Sequence, residues 1–387
     1  MKTRHLIWGI GLPLCVNLWR CAPPVTVEFL VQVPPGTDTV VVVGNRPPLG
    51  DWNPQQGVVL VAKNDTVFTG KIHLKSPGQV EYKITRGSWS REALTESRQV
   101  PSNSVARLKR GLNEIQVHVP AWKDAVTVDP LSPSQSITGD VRLHPEFYSP
   151  QLNNRRTIRV WLPPSYADSS NRRYPVLYCH DGQNIFEPTY SLSGNEWGLD
   201  ELATELIAAG RMDEIIIVGI DNLPDARTEE YSPAQDGKAY ADFLIRTVKP
   251  FIDSTYRTLP DREHTAVMGS SMGGIIAFDL VWEHPDVFSR AFCLSPAFLV
   301  DRNEIVKRVQ HDKTLPENTF FLIRIGTEGL EARLQPAVTK METALKKKGW
   351  QNGQEFDYLI VDGARHSEGD WAVQCREFFP LYFKFSD

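Results

Sequence analysis

The sequence predicts an α/β fold, a mostly parallel sheet with helices on both faces, preceded by a small all-β antiparallel sandwich. Three observations carry this expectation. From about residue 139 to residue 387, short apolar runs alternate with helix-like segments. One of these runs, Thr265-Ala266-Val267-Met268, leads into the turn Gly269-Ser270-Ser271-Met272-Gly273-Gly274 and then into the apolar stretch Ile275 to Trp282. Between residues 25 and 120 the runs are instead short, alternate in polarity and are separated by Gly, Pro and Asn. Strand alternating with helix implies parallel pairing through crossovers, whereas short strands joined by turn residues imply hairpins.

Composition narrows the function classes. A hydrophobic fraction of 41% over 387 residues is ordinary for a globular chain with a sizeable core, and two domains fit the length. The net charge of -5 and the lack of a basic run argue against a nucleic-acid partner. Ten tryptophans are plentiful, as in proteins that stack on sugars.

Residues 1–24 read as a signal peptide or lipoprotein-type leader. Lys2, Arg4 and His5 form a positive head, and Leu6 to Trp19 is apolar but short for a membrane span. Cys21 follows Leu18 at lipoprotein-like spacing, although Trp19 and Arg20 are bulky for a lipobox. Secretion, a periplasmic location and lipid anchoring at Cys21 all remain open, and the last is the one route to a membrane. Beyond Cys15 and Cys21 the chain has Cys179, Cys293 and Cys375. An odd number at irregular spacing, two of them in apolar runs, reads as buried thiols rather than a disulfide framework or metal site.

In the first domain, residues 25–120, Val25, Val27, Phe29, Val31 and Val33 share one face of a strand. Thr39–Val43, Val67–Leu74, Val80–Thr85 and Glu114–Val119 continue the sandwich. Val43-Gly44-Asn45, Leu49-Gly50-Asp51-Trp52-Asn53-Pro54 and Glu81-Tyr82-Lys83 resemble the starch-binding carbohydrate module of family 20. That resemblance implies a glucan platform of two tryptophans and a lysine, which map onto Trp52, Lys83 and, across a shorter loop, Trp89. The bland reading is that Trp52 plugs the end of the sandwich and the module is a spacer. Residues 121–138 read as a linker, because Pro130, Ser132, Pro133 and Ser134 favour an extended path; Trp122-Lys123-Asp124 alternatively docks on the first domain.

In the second domain, residues 139–387, strands are expected at Arg156–Leu162, Pro175–His180, Ile215–Ile220, Thr265–Met268, Arg290–Leu294, Thr319–Ile325 and Tyr358–Val361. Ile215–Ile220 is a nearly continuous β-branched run, the signature of a strand covered on both faces. Leu199, Leu202 and Leu206 mark one helix, with Asp200 and Glu201 at its positive end. Tyr240, Phe243, Leu244, Val248 and Phe251 mark another.

The turn around Ser271 is the chemical centre. A strand that turns sharply into a helix needs glycines, and it lifts one hydroxyl above the sheet near a helix N-terminus. Ser271 sits at that apex; Ser270 is one place off it. A serine hydroxyl is a weak nucleophile and needs a base, which an acid orients. In a sheet of this kind the order is serine, acid, histidine. Of the three later histidines, His284 ends the helix that begins at the turn, and His311 lies in a charged stretch. His366 follows the last expected strand and is the base. The acid should follow Thr319–Ile325, where Glu328 is preferred for its closeness to the strand end and Glu331 is the alternative. The backbone N–H of Met272 and that of Gln183, in the loop His180-Asp181-Gly182-Gln183-Asn184, are expected to hold the oxyanion.

Tyr174-Pro175-Val176-Leu177-Tyr178, His180-Asp181-Gly182-Gln183, Val218-Gly219-Ile220-Asp221-Asn222, Glu230-Tyr231-Ser232-Pro233, the Ser271 turn and the late His366 together resemble the putative-esterase family of α/β-hydrolases. Feruloyl and acetyl-xylan esterases, S-formylglutathione hydrolase, enterochelin esterases and mycolyltransferases belong to it. The resemblance spans almost all of 139–387 and implies an α/β-hydrolase fold, Ser271 as nucleophile and His366 as base. Relatives often place the acid three residues after the glycine of the Gly-Thr turn, where this chain has Gly329. The reading is a serine carboxylic-ester hydrolase acting on acylated carbohydrate, with α-glucan bound at the first domain. An acyltransferase with the same triad and a glycan-binding protein with an inert hydrolase domain are its rivals. No cofactor is expected, and no His-x-x-x-His or paired Cys-x-x-Cys spacing points to a metal.

Overall fold

The computed structural model describes residues 23–96, 100–101, 103–125, 136–188, 191 and 195–384. The leader therefore lies outside the described residues, as does the Pro/Ser-rich part of the linker at 126–135. Among the described residues no helix is long and apolar enough to cross a membrane. The chain forms two compact units. One comprises the described residues up to Gly87 together with Asn103–Val119, and the other the described part of 88–102 together with the chain from Pro120 onward.

The first unit is a sandwich of two four-stranded sheets. One runs Val61–Asn64, Val67–Leu74, Val25–Gln32, Gly111–His118; the other runs Val58–Val59, Val41–Gly44, Gly78–Thr85, Ser104–Leu108. The side-chain period of two drives the core: Val25, Val27, Phe29, Val31 and Val33 are all buried, while Gln32 is exposed. Phe29 from one sheet meets Tyr82 from the other edge-on, with ring centroids 5.4 Å apart. Pairing is antiparallel except that Val25–Gln32 runs parallel to Gly111–His118.

The second unit is built on an eight-stranded sheet. Its strand order is Asp140–Ser149, Asn154–Leu162, Ile216–Ile220, Val176–His180, Thr265–Ser270, Arg290–Leu294, Phe320–Gly326, Phe356–Val361. From Ile216–Ile220 onward all pairs are parallel; the first two strands make antiparallel contacts. Seven of these strands match expected runs. The eighth, Asp140–Ser149, gives no such signal because it is polar and contains Pro145. It lies at the sheet edge, and its register shifts between His144 and Phe147, which is where a residue without an N–H is tolerated.

Both faces of the sheet are covered. Val176, Tyr178, Val218 and Val267 join one core with Phe278, Leu280 and Val338, while Leu177, Cys179, Ile217 and Met268 join the other with Leu202, Trp371 and Phe378. The helix Met272–Glu283 is buried from Met272 through Trp282, so it runs through the interior with no solvent face. Cys179, Cys293 and Cys375 are buried and free, as their apolar settings require.

The described part of 88–102 clusters with the second unit, whereas the sequence reading ran the sandwich unbroken to residue 120. Ala93–Leu94 pairs with Ala121–Trp122 inside the second unit. The N–H of Trp89 donates to Asp225 Oδ1 at 2.8 Å, and Ser90 Oγ donates to Asp225 Oδ2 at 2.7 Å. These long-range bonds are invisible to periodicity, which reports only local preference.

Candidate active site

Ser271 stands between the strand Thr265–Ser270 and the helix Met272–Glu283, with φ 56° and ψ -118°. A non-glycine residue seldom takes that conformation, and the surroundings must hold it there. Its N–H donates to the Leu294 carbonyl at 2.9 Å, and its own carbonyl accepts from Ala297 N–H at 3.0 Å. The glycines answer to contact. A Cβ on Gly269 would sit 2.4 Å from the Gly273 carbonyl oxygen, and one on Gly274 would meet Pro296 at 3.0 Å. The turn closes because both side chains are missing. Ser271 is half-buried, whereas Ser270 is buried within the sheet.

His366 and Glu331 meet beyond the ends of the last two strands. His366 Nδ1 is 2.7 Å from Glu331 Oε1, with the histidine side chain 15% exposed and the glutamate 0%. The second oxygen, Glu331 Oε2, accepts the Gly326 N–H at 2.8 Å. An ionised carboxylate only accepts, so Nδ1 carries the proton and Nε2 is left as the basic nitrogen. Trp371 packs edge-on to the His366 ring at 5.0 Å and donates its indole N–H to Ser295 Oγ at 2.8 Å, beside the Ser271 turn.

It is Glu331, the alternative, that the structure brings to His366, and not the preferred Glu328. The Glu328 side chain is exposed, and its backbone N–H joins that of Thr327 on the Ala364 carbonyl, at 3.1 Å each. Gly329, with φ 62°, turns the chain, and the helix Glu331–Lys347 starts with the carboxylate already directed back at the strand end. The turn decides which carboxylate faces inward.

The loop holding Gln183 follows the neighbouring strand, Val176–His180. Gly182 packs so tightly on the strand beside it that a Cβ would lie 2.5 Å from Gly219 and Ile220 backbone. Gln183 is buried, and its Oε1 accepts the Asn222 N–H at 3.1 Å. Asp181, with φ 59°, anchors the loop. Arg227 donates to it bidentately, Nε to Oδ1 and Nη2 to Oδ2, each at 2.7 Å, and Asn222 Nδ2 donates to Oδ1 at 2.5 Å. Burial alone would raise the Asp181 carboxyl, but the Arg227 guanidinium and the Asn222 amide outweigh it and hold it below the usual carboxylate range. The same carboxylate touches the nucleophile's helix, since a Cβ on Gly273 would lie 3.1 Å from Asp181 Oδ2. His180, under the loop, is held down to about 4 by burial and is neutral; its Nδ1 meets the Tyr240 hydroxyl at 2.9 Å.

The sequence reading quoted His180, Asp181, Asn222 and Tyr231 as motif members but gave none of them a role, and it passed over Arg227 entirely. Arg227→Met would leave a buried carboxylate unpaired, so it should lower the unfolding free energy by about 3 kcal/mol, read from the midpoint of a urea melt. Arg227→Lys keeps the charge but loses the fork, and should fall between the two.

Of the sugar-site residues, Trp52 and Lys83 lie in the sandwich and both are half-buried. Gly50, Asp51 and Trp52 are three successive residues with positive φ, 79°, 44° and 69°. A tryptophan in the left-handed region is uncommon and is held there by its surroundings. Trp89 belongs to the second unit through its bond to Asp225, so the two-tryptophan platform is not completed within the sandwich.

A serine on a strained strand-to-helix turn, with a half-buried histidine held by a buried glutamate at the same sheet edge, defines a serine hydrolase of the α/β type. The chain belongs to the family described as Putative esterase, which matches residues 149–377, and it is a carboxylic-ester hydrolase. Residues 24–107 match the Starch binding domain family. An uncharacterized protein of Bacillus subtilis (strain 168), YbbA, is 22% identical over 235 residues, covering 56% of this chain and 87% of its own. Among solved structures, a ferulic acid esterase is 22% identical with a TM-score of 0.53, covering 63% of this chain and 98% of its own. The enterobactin esterase FES from Shigella flexneri, at 13% identity and a TM-score of 0.52, covers 92% of each chain. At such identities the two structures speak for the fold alone.

Proposed function

We propose that the chain is an exported esterase that cleaves acylated carbohydrate through a Ser271–His366–Glu331 triad, with its first unit holding α-glucan. The observation that carries the triad is the 2.7 Å contact between His366 Nδ1 and a fully buried Glu331 carboxylate. With Nδ1 engaged, Nε2 takes the Ser271 proton as Oγ attacks the ester carbonyl. The N–H groups of Met272 and Gln183 receive the oxyanion; the first opens the nucleophile's helix, where the dipole favours negative charge. The imidazolium, stabilised by Glu331, then protonates the leaving alcohol. Water repeats the sequence on the acyl-enzyme and releases the acid.

The glycan half of the reading rests on the family match and on Trp52. A flat indole buries the apolar face of a pyranose while a lysine donor holds a hydroxyl. One such site is worth only a few kcal/mol before ordering costs, so affinity falls in roughly the micromolar-to-millimolar range. The full chain should be retarded in a gel containing soluble starch, and Trp52→Ala should abolish that retardation without changing turnover of small aryl esters. A panel of aryl esters with acetylated and feruloylated glycans then reads the acyl group, and free acid as product distinguishes hydrolysis from acyl transfer. A chain that ignores starch and related α-glucans leaves the sandwich as a spacer and removes the ground for a carbohydrate substrate.

A further inference from the structure

We propose that Glu196, Asp200 and Glu201 bind a divalent cation, calcium by its tolerance of an irregular oxygen shell, which braces the start of the helix Leu199–Ala208 against the Gln183 loop. One carboxylate oxygen from each of the three side chains lies within 4.8 Å of the other two. Each side chain also carries a buried oxygen with no hydrogen-bond partner: Glu196 Oε2, Asp200 Oδ1 and Glu201 Oε2. Asp200 is 0% exposed. Its Oδ2 accepts the Thr138 N–H at 2.7 Å, and Thr138 Oγ1 lies 3.5 Å from Glu201 Oε1, so Thr138 serves only the outer oxygens. Among the described residues no lysine or arginine forms an ion pair with any of the three.

One buried and two half-buried carboxylates without a cation are costly, because an unpaired charge drawn away from water loses hydration. The donors are all oxygen, which selects a hard cation. Calcium accepts irregular shells of about six to eight oxygens, whereas magnesium demands near-ideal octahedral geometry and gives up its water reluctantly. Water would complete the calcium shell.

The placement gives such an ion work to do. Glu196 and Asp200 bracket Trp197, whose N–H donates to the Asn184 carbonyl at 2.9 Å, next to Gln183. The Trp197 ring packs on Trp371 at 5.8 Å, and Trp371 packs on His366 at 5.0 Å. Holding the acidic cluster shut therefore braces both the Gln183 loop and the base. This inference does not depend on the substrate.

The test uses the full chain, dialysed against EDTA and titrated with calcium chloride and, separately, magnesium chloride. Calorimetry should find one calcium per chain, with magnesium weaker. Saturation to 100 times Kd should raise Tm by about 5 °C. Glu196→Gln and Glu201→Gln should each weaken calcium binding by about tenfold or more, while Glu328→Gln, an exposed acid elsewhere, should change nothing. Glu196→Lys supplies the charge internally, so its Tm without calcium should exceed that of the wild type and no longer respond to the ion. If the wild type shows neither heat nor a Tm change up to about 10 mM calcium, the cluster shares protons instead and the proposal fails. It also fails if the glutamine variants bind calcium as the wild type does.

Discussion

Ser271→Ala should lower kcat on a small aryl ester by about 10⁴- to 10⁶-fold and leave the fold intact. The hydroxyl is the one atom removed. The φ of 56° at this position belongs to the turn, held by the Leu294 and Ala297 bonds and by the missing side chains of Gly269 and Gly274. Alanine carries the same Cβ and adds no new strain, so a thermal melt should superimpose on that of the wild type. Residual turnover would come from the oxyanion donors and binding alone. A serine-directed phosphonate should label the wild type and not the variant. Wild-type turnover in the alanine protein would remove Ser271 from the chemistry and with it the whole triad.

Glu331→Gln should cost about 10³- to 10⁴-fold in kcat, whereas Glu328→Gln should stay within about twofold of the wild type. The Glu331 carboxylate accepts twice, from His366 Nδ1 and from the Gly326 N–H, and it is 0% exposed. An amide there has only one accepting atom. Either the Gly326 N–H loses its partner, or an NH₂ group faces His366 and turns the ring to the wrong tautomer. The imidazolium formed during attack also loses its only close negative partner among the described residues. Glu328 meets none of these demands, being exposed and three residues ahead of the inward-facing carboxylate. Steady-state kinetics on one soluble ester decides the matter. Equal and mild effects would mean that neither glutamate orients the base.

The parts legible from the chain were those whose physics is local. The Ser271 turn declares itself because a strand, a tight glycine-lined corner and a helix must follow one another within a dozen residues. The buried strands Ile216–Ile220 and Arg290–Leu294 declare themselves because a two-sided core demands continuous apolar runs. The sandwich face of Val25, Val27, Phe29, Val31 and Val33 follows from a period of two. His366 could be placed by order along the sheet, since parallel strands bring all their C-terminal ends to one edge.

What remained hidden depends on contacts between distant residues or on a single turn angle. Glu328 and Glu331 are equal in sequence; the positive φ of Gly329 and the helix that begins at Glu331 separate them. Asp181 and Arg227 are 46 positions apart, and nothing in either neighbourhood marks them as a pair. Trp89 reads as part of the sandwich until Asp225, 136 positions later, takes its N–H. Glu196, Asp200 and Glu201 look like ordinary acids at the start of a helix; their crowding appears only when Thr138 and the core bury them. Residue type and spacing determined the fold, the Ser271 turn and the place of His366 beyond the last strand. Long-range burial and backbone turns, which no local preference encodes, decided which carboxylate meets His366, what anchors the Gln183 loop and where acidic side chains crowd together.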